Sequence, residues 1–337
     1  MDSYDPGTPQ TAWWLPQIEE RGETILVDGI VRPAAWPPPR LRLAAGGKPV
    51  PGVDYLELPG EAIGLRGMMP VGALFDGAEE AVLRLVTEDG KPLRDWDQFH
   101  LARPGSFAAV PLPPAKLTNR AIWLSPRVFD KWGYALKRKL EEALTPHLHA
   151  PWASLRLLDW GCGCGRLAKY LSGQGSYTGI DIDAEAIAWC RANIPNGSFE
   201  LQGLEPRTQF EAGRFDVAIG ISIFTHLREE DQFAWLKELA RVVKPGGVVA
   251  VSVNGATSLF NASYPPSVRE ALKTRGFCDT GIENTLKGVT SDDSYYRNIY
   301  HTHDYIRERW SEWFEILAIL PAFVGNMQDM ILLRPRR

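Results

Sequence analysis

Three glycines at alternate positions follow a short apolar stretch near the middle of the 337-residue chain. The segment reads LLDWGCGCGR over residues 157–166, and its glycines are Gly161, Gly163 and Gly165. Glycine lets the backbone approach a ligand closely, and a helix that starts after such a turn presents free N–H groups and the positive end of its dipole. The segment is typical of a strand, turn and helix that hold a polar or anionic ligand. Taken alone, a tight turn that only packs helix against strand would give the same pattern.

A carboxylate stands where such a ligand would need one. Asp181 ends the next predicted strand, YTGID, about 20 residues beyond the glycines, where an acidic side chain can bind both ribose hydroxyls of an adenosine ligand. The spacing GxGxG after Asp159 differs from the GxGxxG of nicotinamide enzymes, and no phosphate-loop lysine follows it. The pattern favours S-adenosylmethionine (SAM) over NAD or ATP.

The elements that must position these residues show a regular alternation from Leu155 onward. Apolar runs such as LRLLDW, YTGIDI, FDVAIGIS and GGVVAVSV are separated by helical patterns such as AEAIAWCRAN and EDQFAWLKELARVV. Alternation of this kind predicts an α/β domain with a doubly wound parallel sheet and helices on both faces.

The first part of the chain has a different pattern. Short stretches of alternating polarity, such as residues 82–86, are separated by turn signals such as Asp28-Gly29 and Asp89-Gly90. They predict a small all-β module, which we expect to be sandwich-like because short strands without long helices need a second sheet to cover them. The predicted division is residues 1–114 for this module, 115–154 for a helical connector and 155–337 for the α/β domain.

Four motifs, taken in order, resemble those of the class I SAM-dependent methyltransferases over roughly residues 155–335. They are DWGCGCGR, GIDID, FDVAIGISIFTHL, and LARVVKPGG followed by VVAVSV. The resemblance implies a Rossmann-like sheet of seven strands in which WFEIL and MILL form the sixth and seventh and the last strand is antiparallel. The wording of GCGCGR, FTHL, HTHDYIRERW and GNMQDMILLR is similar to a bacterial subgroup associated with polysaccharide and glycoconjugate genes.

The same resemblance implies a cofactor site for SAM. The residues implied around the methionine part are Asp159, Gly161, Cys162, Gly163 and Gly165, and those for the ribose and adenine are Asp181 and Ile182. The adenine amino edge would be bordered by Gln202, Gly203 and Leu204, and the sulfonium and the substrate would be faced by Ile221 and Ser222.

Histidine is the side chain whose ordinary pKa best suits base catalysis near neutral pH. His301 and His303 lie in the long segment between the predicted fifth and sixth strands, where substrate loops occur in this fold, and His226 follows the fourth strand. We predict that His301 is the general base, with His226 as the competing candidate and His303 beside them. For His226 the alternative is a hydrogen-bonded scaffold residue of the cofactor pocket.

Charge, hydrophobicity and cysteine content narrow the possible substrates, cellular locations and metal sites. The net charge is −4 and no block of Lys or Arg stands out, which disfavours a nucleic-acid substrate. The chain starts without a signal-peptide pattern, and no run of about 18 apolar residues occurs, so we expect a cytoplasmic protein without a membrane span. The four cysteines lack the paired spacing of a structural zinc site, and no metal is expected.

The sequence therefore predicts a two-domain SAM-dependent methyltransferase. The expected reaction is O-methylation of a sugar, a glycoconjugate or a small hydroxylated metabolite, so the expected partner is a small-molecule or glycan acceptor. Methylation of nitrogen stays open, as does a non-catalytic scaffold that binds SAM. A nicotinamide oxidoreductase is disfavoured by the glycine spacing.

Overall fold

The computed structural model describes residues 13–32, 37, 40–92, 98–121, 125–255, 258, 265–325 and 327–336. Residues 1–12 of the predicted β-module lie outside these ranges. The chain divides into two compact units. The N-terminal unit comprises the described parts of residues 7–112 and 124–139, and the C-terminal unit those of residues 113–123 and 140–337.

The N-terminal unit is built from short antiparallel strands. Its elements are β1 (Trp13–Arg21), β2 (Thr24–Arg32), β3 (Leu41–Ala45), β4 (Lys48–Pro49), β5 (Val53–Leu58), β6 (Ala62–Pro70), α1 (Val71–Phe75), β7 (Glu80–Thr87) and β8 (Phe99–Ala102). In the described part of the unit these strands form two four-stranded sheets, with the orders β1-β2-β6-β5 and β4-β3-β7-β8. Two helices follow, α2 (Ala115–Ala121) and α3 (Pro126–Leu144).

Both sheets contribute to one apolar core. Val27 of β2 and Leu83 and Leu85 of β7 are fully buried in it, as the period-two alternation of these strands requires. The first half of α3 adds Trp132 to the same core, and its indole N–H donates to the carbonyl of Pro16 at 3.1 Å. The unit therefore has a hydrophobic core of its own.

The C-terminal unit alternates strands and helices. Its elements after α3 are β9 (Arg156–Trp160), α4 (Ala168–Leu171), β10 (Ser176–Asp181), α5 (Ala184–Asn193), β11 (Gly197–Leu201), β12 (Phe215–Gly220), α6 (Glu229–Val242), β13 (Val243–Val253), α7 (Pro266–Arg275), β14 (Phe277–Ile282), β15 (Arg297–His301), α8 (His303–Arg309), β16 (Phe314–Val324) and β17 (Gln328–Pro335). Over the described ranges, no helix combines the length and apolar character needed to cross a membrane.

Seven of the described strands form the large sheet, in the order β11-β10-β9-β12-β13-β17-β16. Strands β9 to β13 run parallel, whereas β17 is antiparallel to both β13 and β16. We call the edge where β9 to β13 end the carboxyl edge. Because β17 runs in the opposite direction, its first residues, Gln328 and Asp329, lie at this same edge, and Asp329 pairs with Val253. The predicted seven-stranded α/β sheet with an antiparallel last strand is confirmed.

Aromatic side chains fill the core on one face of the large sheet. Trp160 at the end of β9 packs against Phe224 and Trp235, with ring centroids 5.2 and 4.8 Å apart, and Phe224 packs in turn on Trp310. Phe224 and Trp310 are fully buried. Aromatic side chains bury large apolar areas and dominate core energetics. This packing fixes the loop after β12 close to the carboxyl edge.

A charged network stabilises the N-terminal unit. The Glu80 carboxylate accepts hydrogen bonds from the Tyr134 hydroxyl at 2.8 Å and from Arg138 Nε at 2.7 Å, and it lies 3.2 Å from His100 Nδ1. Burial by itself raises the pKa of Glu80, but the hydrogen bonds from His100, Tyr134 and Arg138 outweigh it and lower the pKa to about 2.

Glu80→Gln is expected to destabilise the N-terminal unit at pH 7 by about 1–2 kcal/mol, after allowance for solvent screening. The folded-state pKa lies below the ordinary value, so the stabilisation is present above pH 4.5 and is lost as pH falls towards about 2. Calorimetric unfolding at pH 7 and pH 3 measures this, with Glu79→Gln at the exposed neighbouring position as control. A wild-type advantage of equal size at both pH values would contradict the prediction.

Candidate active site

The glycine turn after β9 is held to β10 by backbone hydrogen bonds. The N–H groups of Gly161 and Cys162 donate to the carbonyl of Ile180 at 2.8 and 3.0 Å. Gly161 has φ +76° and Gly163 has φ +53°, both in the left-handed region that favours glycine. A Cβ on Gly161 would lie 2.1 Å from a methyl carbon of Ile223, whereas a Cβ on Gly163 would meet nothing within 4 Å. The turn is closed on the Gly161 side and open at Gly163.

Asp181 joins this turn to the end of β10. Its carboxylate accepts the N–H of Gly163 at 2.7 Å through one oxygen and the N–H of Asp183 at 2.8 Å through the other. Burial raises the pKa of Asp181 to about 6, although the backbone hydrogen bonds from Asp183 and Gly163 oppose that shift. The carboxylate is therefore fixed beside the open glycine.

Asp159 and Cys162 lie beneath the turn. The Asp159 carboxylate is buried and accepts a hydrogen bond from the Tyr177 hydroxyl of β10, and burial raises its pKa to about 6. The Cys162 thiol is buried close to the Gly163 carbonyl, and contact with the Cys190 thiol and burial raise its pKa well above the ordinary value. Both side chains are buried and support the turn through these contacts.

Gln202 shapes the loop after β11. Its backbone N–H donates to the carbonyl of Asp181 at 2.8 Å. Its side-chain amide donates to the carbonyls of Gly203, Glu205 and Arg207 at 3.0 to 3.2 Å. The amide group of Gln202 is thus used within its own loop, which was predicted to border the adenine.

The neighbouring residues of that loop contact the segment between β14 and β15. The carbonyl of Leu204 accepts the Tyr295 hydroxyl at 3.2 Å, and the Trp235 indole N–H also reaches that hydroxyl at 3.4 Å. Gly203 is exposed, with nothing nearer than 4.0 Å to a Cβ placed on it, and Ile182 is half-buried after Asp181. The loop is braced on one side and open on the other.

Ser222 follows β12 in a strained conformation. Its φ is +61°, in a region that non-glycine residues adopt rarely, and strained residues of this kind cluster at functional sites. It follows the buried Ile221. The Ser222 N–H donates to Ser252 Oγ at 2.7 Å, and both hydroxyls donate to Gln328 Oε1 at 3.0 and 2.8 Å. This network ties β12, β13 and β17 together at the carboxyl edge.

His226 stacks on the segment that precedes β15. Its ring lies 3.8 Å from that of Tyr296, centroid to centroid, at an angle of 18°, and Nδ1 donates to the carbonyl of Arg297 at 2.6 Å. Since a carbonyl only accepts, Nδ1 carries the proton and Nε2 keeps its lone pair. Burial lowers the pKa of His226 to about 4. Burial raises the pKa of Tyr296, and the charges of Glu283 and Asp181 add to that shift.

His301 lies in the core, and this corrects the prediction that it is the general base. The side chain is fully buried, and Nε2 lies 2.9 Å from Gln232 Oε1. The Gln232 amide nitrogen already donates to the carbonyls of Phe224 and Leu227, so Nε2 of His301 must donate. Burial also lowers the pKa of His301 to about 3. The buried ring is therefore not accessible to an acceptor in this structure.

His303 is paired with a buried acid. Its Nε2 lies 2.7 Å from Asp329 Oδ2, while Asp329 Oδ1 accepts the N–H of Ala322 at 2.8 Å. Asp329 is fully buried, whereas the His303 side chain is 25% exposed. A Cβ on Gly255 would lie 1.9 Å from Asp329 Oδ2, so the pair fits only because residue 255 is glycine. With Nε2 donating to the carboxylate, the lone pair of His303 stands on Nδ1.

Most predicted site residues gather at the carboxyl edge. The backbone N–H of His301 also reaches it, donating to the carbonyl of Asn254 after β13 at 2.9 Å, but the His301 side chain is buried in the core. Sequence reasoning missed four residues of this edge: Ser252, Gly255, Gln328 and Asp329. A signal was present for Asp329, because an acidic residue opens the otherwise apolar run DMILL, and buried charges usually have a partner. Ser252 and Gly255 carry no comparable signal.

A family model described as "Methyltransferase domain" matches residues 157–247. The ubiquinone biosynthesis O-methyltransferase of Agrobacterium fabrum is 24% identical over 194 residues, which cover 56% of this chain and 71% of that protein. The enzyme of the same name from Thiobacillus denitrificans is 33% identical over 108 residues, or 31% of this chain and 46% of that one.

Solved structures of methyltransferases are also similar to this chain. A SAM-dependent methyltransferase from Methanosarcina mazei is 21% identical, with a TM-score of 0.43, over 57% of this chain and 96% of that one. One from Mesorhizobium loti is 17% identical, with a TM-score of 0.41, over 58% and 97%. From the matched domain and the curated relatives, the chain is a SAM-dependent methyltransferase, with S-adenosyl-L-methionine as its cofactor.

Proposed function

We propose that this enzyme methylates a hydroxyl oxygen of a sugar, a glycoconjugate or a small hydroxylated metabolite. The observation that carries the proposal is the His303–Asp329 pair at the carboxyl edge. A hydroxyl oxygen must lose its proton when it is methylated, and a base held within hydrogen-bond reach of that hydroxyl assists the step. The names of the curated relatives, both O-methyltransferases, support oxygen as the methylated atom.

The residues of the carboxyl edge fit the cofactor. Gly163 faces open space in which a side chain would intrude, and the fixed carboxylate of Asp181 beside it suits two ribose hydroxyls. We assign the methionine part to the turn from Gly161 to Gly165, with Asp159 and Cys162 supporting it from below. Ile182 and the loop of Gln202, Gly203 and Leu204 would border the adenine, and Ile221 and Ser222 the sulfonium.

The chain's own residues then hold the reactants and move one proton. When bound, SAM supplies an electrophilic methyl group. The strained Ser222 and the network through Ser252 and Gln328 shape the acceptor side, and alignment of the reacting atoms with exclusion of water lowers the barrier. Nδ1 of His303 takes the proton of the acceptor hydroxyl, and Asp329 stabilises the imidazolium that forms.

The N-terminal unit takes no part in this chemistry in our proposal. Every residue assigned to contact the cofactor or the acceptor lies after residue 155. We propose that the first 114 residues are a sandwich-like module and that residues 115–154 lead from it to the catalytic domain, with the first half of α3 packed on the core of the module.

The proposed acceptor class predicts the product. With free and nucleotide-linked sugars and hydroxylated aromatic metabolites as substrates, we expect S-adenosylhomocysteine release coupled to a product methylated on oxygen. Mass spectrometry with fragmentation locates the methyl group, and matched amino analogues of each active acceptor are the control. A product methylated only on nitrogen would overturn the proposal.

His303→Gln should reduce kcat about 100-fold to 10,000-fold, because glutamine can still donate to Asp329 but cannot act as a base. SAM affinity should stay unchanged. His226→Gln is the matched competitor, since it also keeps a donor and removes an imidazole at the same edge. Turnover by single-turnover kinetics at saturating SAM decides between them. Near wild-type turnover in His303→Gln, with loss in His226→Gln, would transfer the role to His226.

Gly163→Ala should weaken SAM binding at least about tenfold, because the new methyl group would occupy the space assigned to the cofactor. Its φ of +53° also adds strain, so Gly213→Ala, at φ +66° in the loop before β12, is the matched control. Calorimetric titration gives the SAM affinity of each variant, and thermal unfolding gives the cost of strain. Equal SAM affinities in the two variants would place the cofactor elsewhere.

A further inference from the structure

Arg120 of α2 bridges two acidic residues of the loop and helix that follow β10. Its NH1 donates to Asp183 Oδ2 at 2.6 Å and its NH2 donates to Glu185 Oε2 at 2.8 Å. The Arg120 side chain is 17% exposed and that of Asp183 only 7%. A guanidinium that reaches two carboxylates with separate nitrogens holds both in a fixed geometry, which an ammonium group cannot reproduce.

Asp183 connects this ion pair to Asp181. Its Oδ1 accepts the N–H groups of Glu185 and Ala186 at 3.0 and 3.2 Å and so caps α5. Its own N–H donates to Asp181 Oδ1 at 2.8 Å. Arg120 therefore acts on the side chain of Asp183, and the backbone of Asp183 acts on the carboxylate of Asp181.

We propose that Arg120 is a positioning residue for the cofactor, which fixes the Asp181 carboxylate for the ribose through Asp183. Arg120 lies upstream of residues 157–247, which match the methyltransferase domain. The inference rests on the proposed role of Asp181 and requires nothing of the acceptor.

Electrostatics gives Arg120 a second effect on the same carboxylate. The charge of Asp183 raises the pKa of Asp181, in addition to burial. Arg120 offsets that charge, so its removal leaves an uncompensated carboxylate two residues from Asp181. Other titratable groups that interact electrostatically with Asp181 include Asp159, Cys162, Cys164 and Tyr296. Cys190 contacts Cys162, and Arg166 interacts with Asp159 and Cys164.

The test compares SAM binding to full-length variants by calorimetric titration between pH 5.5 and 8. For the wild type, Kd should rise as pH falls through about 6, because protonated Asp181 accepts hydrogen bonds from ribose less well. Arg120→Gln should raise Kd about 3-fold to 30-fold at pH 8 and move the midpoint of the pH dependence upward. The kcat at saturating SAM should be unchanged.

Two further variants separate the possible causes. Lys116→Gln, on the same helix, removes only the exposed contact of Lys116 with Glu185 and should bind SAM like the wild type. Arg120→Lys keeps the charge but loses the fork, so its Kd should lie between those of the wild type and Arg120→Gln. If Arg120→Gln does not fold, Arg120→Lys is the variant that tests the proposal. A Kd of Arg120→Lys equal to that of the wild type at every pH would then overturn it.

Asp181→Ala, measured in parallel, separates this inference from the assignment on which it depends. If Asp181→Ala leaves SAM affinity unchanged, the ribose assignment fails and the role of Arg120 fails with it. If Asp181→Ala weakens binding while Arg120→Gln binds SAM with wild-type Kd and midpoint, only the positioning role of Arg120 is wrong.

Discussion

The carboxylate of Asp181 is the group on which the geometry of the proposed cofactor site depends. It accepts the N–H of Gly163 from the turn after β9 and the N–H of Asp183 from its own loop, so one side chain fixes the two loops between which a nucleoside cofactor would lie. Burial opposes its charge and the backbone hydrogen bonds favour it, and these opposing effects leave its pKa within reach of neutral pH. A carboxylate that already accepts two N–H groups is held in place before any ligand binds. The entropy lost in fixing this side chain on binding is therefore small.

The reversed direction of β17 supplies the other half of the site. A parallel strand would bring only its last residues to the carboxyl edge, whereas β17 brings its first residues there. Gln328 and Asp329 consequently meet Ser222 from the loop after β12, Ser252 from β13 and His303 from α8. Successive residues of a strand point to opposite faces of the sheet, so Gln328 and Asp329 serve two different networks although they are neighbours in sequence.

The sequence predicts those features that are set by local pattern. The large sheet follows from alternating apolar runs and helical patterns, and the glycine turn and Asp181 follow from spacing within one βα unit. Burial of a polar residue is set by distant elements instead. His301 and His303 look equivalent in the segment HTH, yet His301 ends β15 inside the core and His303 begins α8 beside Asp329. The sequence likewise predicts Gln202 at the border of the adenine, whereas in the structure its side-chain amide donates to carbonyls of its own loop.

The three imidazoles show why burial alone does not produce a catalytic base. Desolvation disfavours the charged form, and it lowers the pKa of both His226 and His301, to about 4 and about 3. For His226 the hydrogen bond to the Arg297 carbonyl raises the pKa but does not offset burial, whereas for His301 burial is the cause of the shift. The His303 ring has different surroundings: its Nε2 lies 2.7 Å from a carboxylate oxygen of Asp329, and its side chain is 25% exposed. In the proposed mechanism this paired and partly exposed ring receives the proton of the acceptor and releases it to solvent after each turnover.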